Sequence, residues 1–160
     1  MKAALTALTT FGVLIFLSAC GAAPGVDTLA DSVRAYNDGV RWGRFEVAAI
    51  HIPAKERSKF VDENDERAKD VKITEYDVVN VAQKGSKEAK VHIKMSWYSD
   101  REGTLHETHA VQTWEKKGKE WLLVDESRTR GTEMPGLPEP MMTDAGSAEV
   151  RGGPDGSRAD

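Results

Sequence analysis

The run from Ala89 to Trp97 constrains this chain more than any other stretch. Ala89, Val91, Ile93, Met95 and Trp97 alternate with Lys90, His92, Lys94 and Ser96. A period of two sends alternate side chains to opposite faces of a pleated strand, so one face is committed to a core and the other to water. A half-buried strand needs partners, and the flanking sequence supplies them. Val71 to Tyr76 begins to alternate, and Val78, Val79 and Val81 follow. Gln83 to Lys87 reads as a turn, Ser99 to Gly103 as a hairpin loop, and Lys116-Lys117-Gly118 as a three-residue loop with a left-handed glycine. The expected strands are therefore Val71 to about Ala82, Ala89 to Trp97, Thr104 to Glu115 and Trp121 to Thr129.

Upstream the period is helical. Leu29, Val33, Tyr36 and Val40 recur at steps of four, three and four behind the plausible caps Asp27 and Thr28. Trp42 to Ile50 suggests a second short piece, and Pro53 opens a charged run to Ala68 whose apolar contacts are Phe60 and Val61. The expected fold class is α+β: N-terminal helices packed on a curved four-stranded antiparallel meander spanning residues 28–130. From Gly131 the chain is rich in Gly and Pro, and from Met141 it has no period, so 131–160 is expected to be a disordered tail. On that reading, truncation after Arg130 leaves a folded domain, although Met134, Leu137, Met141 and Met142 offer apolar contacts.

The N-terminus has a different character. Met1-Lys2 precedes a short run, Ala3 to Leu17, without charged residues, and Ser18, Ala19, Cys20 and Gly21 follow. This describes a secretory signal peptide, too short for the roughly 20 apolar residues of a spanning helix. Leu17-Ser18-Ala19-Cys20 resembles the lipobox of bacterial lipoproteins. The resemblance implies removal of residues 1–19, acylation of Cys20 by chains such as palmitate, and a spacer over residues 20–27. The partner it implies is a membrane, entered through lipid on Cys20. Gly21, where an Asp would retain the protein at the inner membrane, implies the outer membrane of a bacterial envelope, facing the periplasm or the cell surface.

Charge and cysteine usage narrow the chemistry. The chain carries 22 Lys and Arg against 26 Asp and Glu, a formal −4, which argues against a nucleic-acid partner. Cys20 is the single cysteine. Once it is acylated, disulfides, thiol catalysis and cysteine metal sites are excluded.

Gly118, Trp121, Leu123 and Asp125, closing a helices-then-meander chain, resemble the nuclear transport factor 2-like superfamily, whose curved sheet wraps a helix into an open cone. That family includes isomerases, dehydratases and many binding modules. It usually places one or two strands between its second and third helices, where Ile50-His51-Ile52 is barely long enough for one.

Loop lengths give an expected register: Tyr98 opposite Thr104, Ile93 opposite His109, Val111 opposite Leu123, and His109 opposite Asp125. One face then carries Ile93, Met95, Trp97, Val111, Trp121 and Leu123 as a pocket lining, beside Leu105 and Thr113, with Glu107, His109 and Asp125 among them. Directly opposed residues lie about 5 Å apart at Cβ. His109 held by Asp125 would then be a candidate catalytic pair, supported by Glu107. The outward face would carry Trp114, Leu122 and Val124 as an interaction surface. His106-Glu107-Thr108-His109 lacks His-Glu-x-x-His spacing, and a strand sends its two histidines to opposite faces, so no metal and no cofactor are expected. The functional reading is a lipid-anchored module that binds a protein or a small apolar ligand without catalysis. A lyase or isomerase built on His109 and Asp125, and a structural subunit docking through Trp114, are the alternatives.

Overall fold

The computed structural model describes residues 28–139. The signal segment, Cys20, the spacer and the expected tail beyond Glu139, including Met141 and Met142, lie outside the described residues. Helix α1 spans Leu29–Arg41. The Thr28 side chain caps it by accepting from the Asp31 amide at 3.2 Å, which satisfies one of the orphan donors of the first turn. Its predicted stripe is the buried one: Val33 and Tyr36 are core residues, with Leu29 and Val40 packed against them. Helix α2, Phe45–Ala49, folds back after Gly43, whose φ of 64° reverses the chain. It packs so closely that a Cβ on Gly39 would lie 2.9 Å from the Ala48 Cβ. Pro53 precedes a single 3₁₀ turn, Ala54–Glu56, which runs into α3, Arg57–Arg67. As its charge predicts, α3 buries little; Asn64 is its one fully buried residue.

Strands β1 (Val71–Lys84), β2 (Glu88–Ser99), β3 (Leu105–Lys117) and β4 (Glu120–Gly131) form an antiparallel meander in sequence order. The expected fold class is observed. β2 behaves as its alternation demands, with Ala89, Val91, Ile93, Met95 and Trp97 all buried. Bulges at Thr74 and Val79 in β1, and at Val124 and Thr129 in β4, bend the edge strands.

The register differs from expectation in both later hairpins, and the difference inverts β3. Tyr98 pairs with Leu105 and Ile93 with Ala110, one residue off the expected pairing. The cause lies in the loop. Asp70, at the foot of β1, accepts from the Asp100 amide through its carbonyl and from Ser99 Oγ and the Arg101 amide through its carboxylate. Glu102 and Gly103 both donate back to the Ser99 carbonyl, with Gly103 at φ 65°. This closed turn takes up one more residue than an open five-residue loop. In the last hairpin, Lys117 pairs with Glu120 around a two-residue Gly118-Lys119 turn, so Glu115 faces Leu122 rather than Lys119. A one-residue slip exchanges the faces of a strand. Thr108, Ala110, Gln112 and Trp114 therefore point into the core, while Leu105 is 65% exposed.

The segment after β4 is also not the loose tail expected from its composition. Gly131 pairs with Thr108, and the Thr132 amide donates to the Glu107 carbonyl. The Arg128 amide donates to the Pro138 carbonyl, and the Arg128 guanidinium meets the Glu139 carboxylate. Met134 and Leu137 are core residues, 2% and 7% exposed. The packed domain thus extends past Arg130 at least to Glu139.

Candidate functional site

The interior of the curved sheet holds a polar cluster built from α1, β3 and β4. Gln112 is fully buried and stands between Asn37 and Glu126. Its amide nitrogen donates to Asn37 Oδ1 at 2.9 Å and to Glu126 Oε1 at 2.8 Å. Its carbonyl oxygen accepts from Trp114 Nε1 at 3.2 Å and from Asn37 Nδ2 at 3.3 Å. Tyr36 donates its hydroxyl to Glu126 Oε2 at 2.9 Å. Burial, reinforced by the Glu126 carboxylate that the hydroxyl bonds, pushes the Tyr36 phenol well above the ordinary tyrosine range. Nearby, Tyr76 donates to Asp38 at 3.1 Å; burial and that bond push its phenol up to about 12.

Every hydrogen-bonding group of Gln112 is used within this cluster, which makes it a closed network. The cavity beside it has a volume of about 10 Å³, the room of a single water, between Tyr36, Arg67, Tyr76, Met95, Glu126 and Met134. The aromatic rings of Tyr36, Phe60 and Trp114 fill the adjoining space, with centroids 5.8 to 5.9 Å apart. The network has no free donor to offer a ligand.

The larger opening is a groove of about 1020 Å³ between α3, the bulged part of β4 and the Pro135–Pro138 segment. Phe60, Leu123, Val124 and Leu137 contribute apolar surface. Glu56, Glu63, Glu66, Asp70, Asp125 and Glu126 outnumber Lys59, Arg67 and Arg101 along it. The His51 carbonyl accepts from the Leu123 amide at 2.8 Å, a trace of an additional strand between α2 and α3.

The expected His109–Asp125 pair is not formed. His109 pairs with Arg130 and Asp125 with Thr113, because the shorter last turn and the Val124 bulge displace β4 along β3. His109 and Glu107 do meet, 3.0 Å apart, on the outer face of the sheet, where Arg130 approaches the other ring nitrogen at 3.5 Å. Val111 and Thr113 share that outer side of β3 and are half-buried. Of the expected pocket lining, Ile93, Met95, Trp97, Trp121 and Leu123 do face inward, as close-packed core. Trp114, expected on an outer interaction face with Leu122 and Val124, is completely buried.

The residues missed were Tyr36 as a polar group, Asn37, Gln112 and Glu126. One signal was available: in β3 from Leu105 to Glu115 the formal charges Glu107 and Glu115 share one parity, while His106, Thr108, Ala110, Gln112 and Trp114 on the other carry no acid, lysine or arginine.

Helices followed by a bent antiparallel meander, with a core closed between them, are the arrangement of a cystatin-like fold. Solved structures agree at the level of fold. A SEC-C motif-containing protein from Rhodopseudomonas palustris superposes with a TM-score of 0.56 at 14% identity, over 66% of this chain and 81% of that one. A ketosteroid isomerase-like protein from Erwinia carotovora atroseptica gives 0.52 at 12% identity, over 63% and 93%. A domain of unknown function with a cystatin-like fold from Nostoc punctiforme gives 0.51 at 16%, over 68% and 82%. No family model and no curated protein matches the chain.

Proposed function

We propose that this chain is a lipid-anchored protein of the bacterial envelope whose domain binds a polypeptide segment without catalysis. The observation that carries the binding half is the contrast between the two spaces: an interior of about 10 Å³ closed by a self-satisfied network, and an open groove of about 1020 Å³. A small ligand needs a cavity of roughly 300 Å³ or more. The groove has the mixed character of a peptide site, with apolar patches for anchor side chains and an acidic surplus for basic ones. The anchoring half rests on Leu17-Ser18-Ala19-Cys20 at the end of a short apolar run.

Two measurements test the halves separately. Cys20→Ser should remain unlipidated and leave the detergent phase on partition; a variant that still partitions with membranes like wild type overturns the anchor. A photo-crosslinking side chain at Glu63, in the groove, should trap a discrete polypeptide in native membranes. The same group at His92, on the outer sheet face, should not. The adduct should disappear when Glu56 and Glu66 are both changed to Lys. Equal labelling from both positions, or a small molecule retained stoichiometrically in the purified domain, counts against the peptide reading.

A further inference from the structure

The two hairpin turns Gly85-Ser86-Lys87 and Gly118-Lys119 lie at the same end of the sheet, tied by a bond from the Lys116 amide to the Lys87 carbonyl at 2.8 Å. That end concentrates positive charge. Lys84, Lys87, Lys90, Lys116, Lys117 and Lys119 stand against Glu88, Glu115 and Glu120, on a chain whose formal charge is −4. Lys84 pairs with Glu88 and Lys117 with Glu115, and the Lys116 ammonium sits over the Trp121 ring at 5.9 Å. Lys87, Lys90 and Lys119 make no ion pair among the described residues. Beside them the edge strand β1 exposes Val78, Val79 and Val81.

The N-terminus of α1 points toward this same end. Its C-terminus, Val40 to Gly43, lines one groove with Val71, Lys72 and Ile73 at the Asp100 end of the sheet, whereas Tyr36 meets Trp114 edge-on, and Trp114 pairs with Ala89, two residues past the Gly85-Ser86-Lys87 turn. The axis therefore runs from the turns toward the Asp100 loop, and Thr28 leaves the domain on the turn side. Cys20 lies eight residues before Thr28, a reach of about 28 Å even fully extended. The 12 residues of β2 span about 40 Å. A tether shorter than the sheet holds near its membrane the end from which it departs.

We infer that the lysine-bearing hairpin tips are the membrane-facing end of the domain and rest on anionic phospholipid headgroups. This rests on the proposed acylation of Cys20. Charge complementarity and the point where the tether leaves select the same occupant. Lysine stems also suit an interface, covering apolar surface while the ammonium reaches the headgroup layer.

The test uses the lipidated protein in vesicles of phosphatidylcholine, with and without phosphatidylglycerol. Because the natural cysteine is acylated, a fluorophore on Ser86→Cys, or on Glu102→Cys at the opposite end, labels one place. Headgroup-borne quenchers should dim the Ser86→Cys label several-fold more when phosphatidylglycerol is present. The difference should vanish in high salt and in a Lys84→Glu, Lys87→Glu, Lys119→Glu variant, while the Glu102→Cys label stays bright throughout. Flotation of the same vesicles reads the anchor independently. Protein that floats but dims equally at both ends, or regardless of phosphatidylglycerol, overturns this inference and leaves the anchor standing. Protein that does not float overturns both.

Discussion

Met134→Ala measures whether the chain beyond β4 is part of the fold. Met134 is 2% exposed and packs with Met95, Tyr36 and Arg67 around the small interior cavity. Truncating a buried methionine to alanine costs about 2–5 kcal/mol, the lost transfer energy plus the void left behind. A substitution in a loose surface segment stays within about 0.5 kcal/mol. The two accounts therefore differ by at least a factor of four. In a domain of this size the lower bound alone corresponds to a fall of about 8 °C in Tm. Urea unfolding followed by tryptophan fluorescence is well suited, because Trp97, Trp114 and Trp121 are buried and only Trp42 is exposed. Met134→Leu, which conserves volume, should cost less than about 1.5 kcal/mol. Truncation after Arg130 removes Leu137 as well. Burial of the two side chains is worth roughly 3–6 kcal/mol together, a large part of the 5–15 kcal/mol that holds a typical domain. A Met134→Ala protein that unfolds within about 0.5 kcal/mol of wild type would refute the packed segment.

Gly39→Ala sets propensity against packing: alanine should gain about 1 kcal/mol in a helix interior, but its Cβ would meet Ala48 at 2.9 Å, so net destabilisation of about 1–2 kcal/mol is expected in the same assay. A stabilised variant would show that α2 yields. Asp70→Ala removes the carboxylate that holds Ser99 and Arg101; a loss of about 1.5–3 kcal/mol is expected, with the largest amide shifts in residues 99–104, and shifts confined to α3 would contradict its role in the register. In an alkaline absorbance titration, Tyr36 and Tyr76 should ionise late, whereas denaturant returns both to the ordinary value of about 10. Both folded-state values are raised, so the stability they contribute is complete below pH about 10 and is lost as pH rises from there toward 12 and beyond. Phenols that all titrate normally in the native protein would exclude the closed network.

The legible parts of this fold were those specified by local pattern. The 3.6-residue stripe of α1 and the alternation of β2 each lie within one element and are enough to place it. β3 was misread because its face depends on how many residues the preceding loop consumes. That number is set by Asp70, some thirty positions earlier in sequence and across a hairpin in space. The β3 pattern could not correct the count, since Leu105 and Val111 made the wrong parity look apolar. Gln112 and Thr108 looked like surface residues until partners from α1, β2 and the post-β4 segment satisfied them. Met134 and Leu137 were hidden by the glycines and prolines around them, which report backbone irregularity and nothing about burial. The site followed the register, so a pair built on the wrong pairing disappeared and a cluster nobody would assemble from spacing took its place.

The position of Met134 also has a consequence in time. Each strand of the meander neighbours the one before it, so a chain emerging from its N-terminus can form every hairpin as soon as the second strand is free. The core, however, is not closed by any of them. Its last side chains arrive with Met134 and Leu137, after β4 is complete. Until then the inner ends of Tyr36, Met95 and Arg67 face an unfilled mouth. A nascent chain must therefore deliver residues as far as Leu137 before its core is complete, and any structure it forms earlier lacks the side chains that close the mouth between α1 and the sheet.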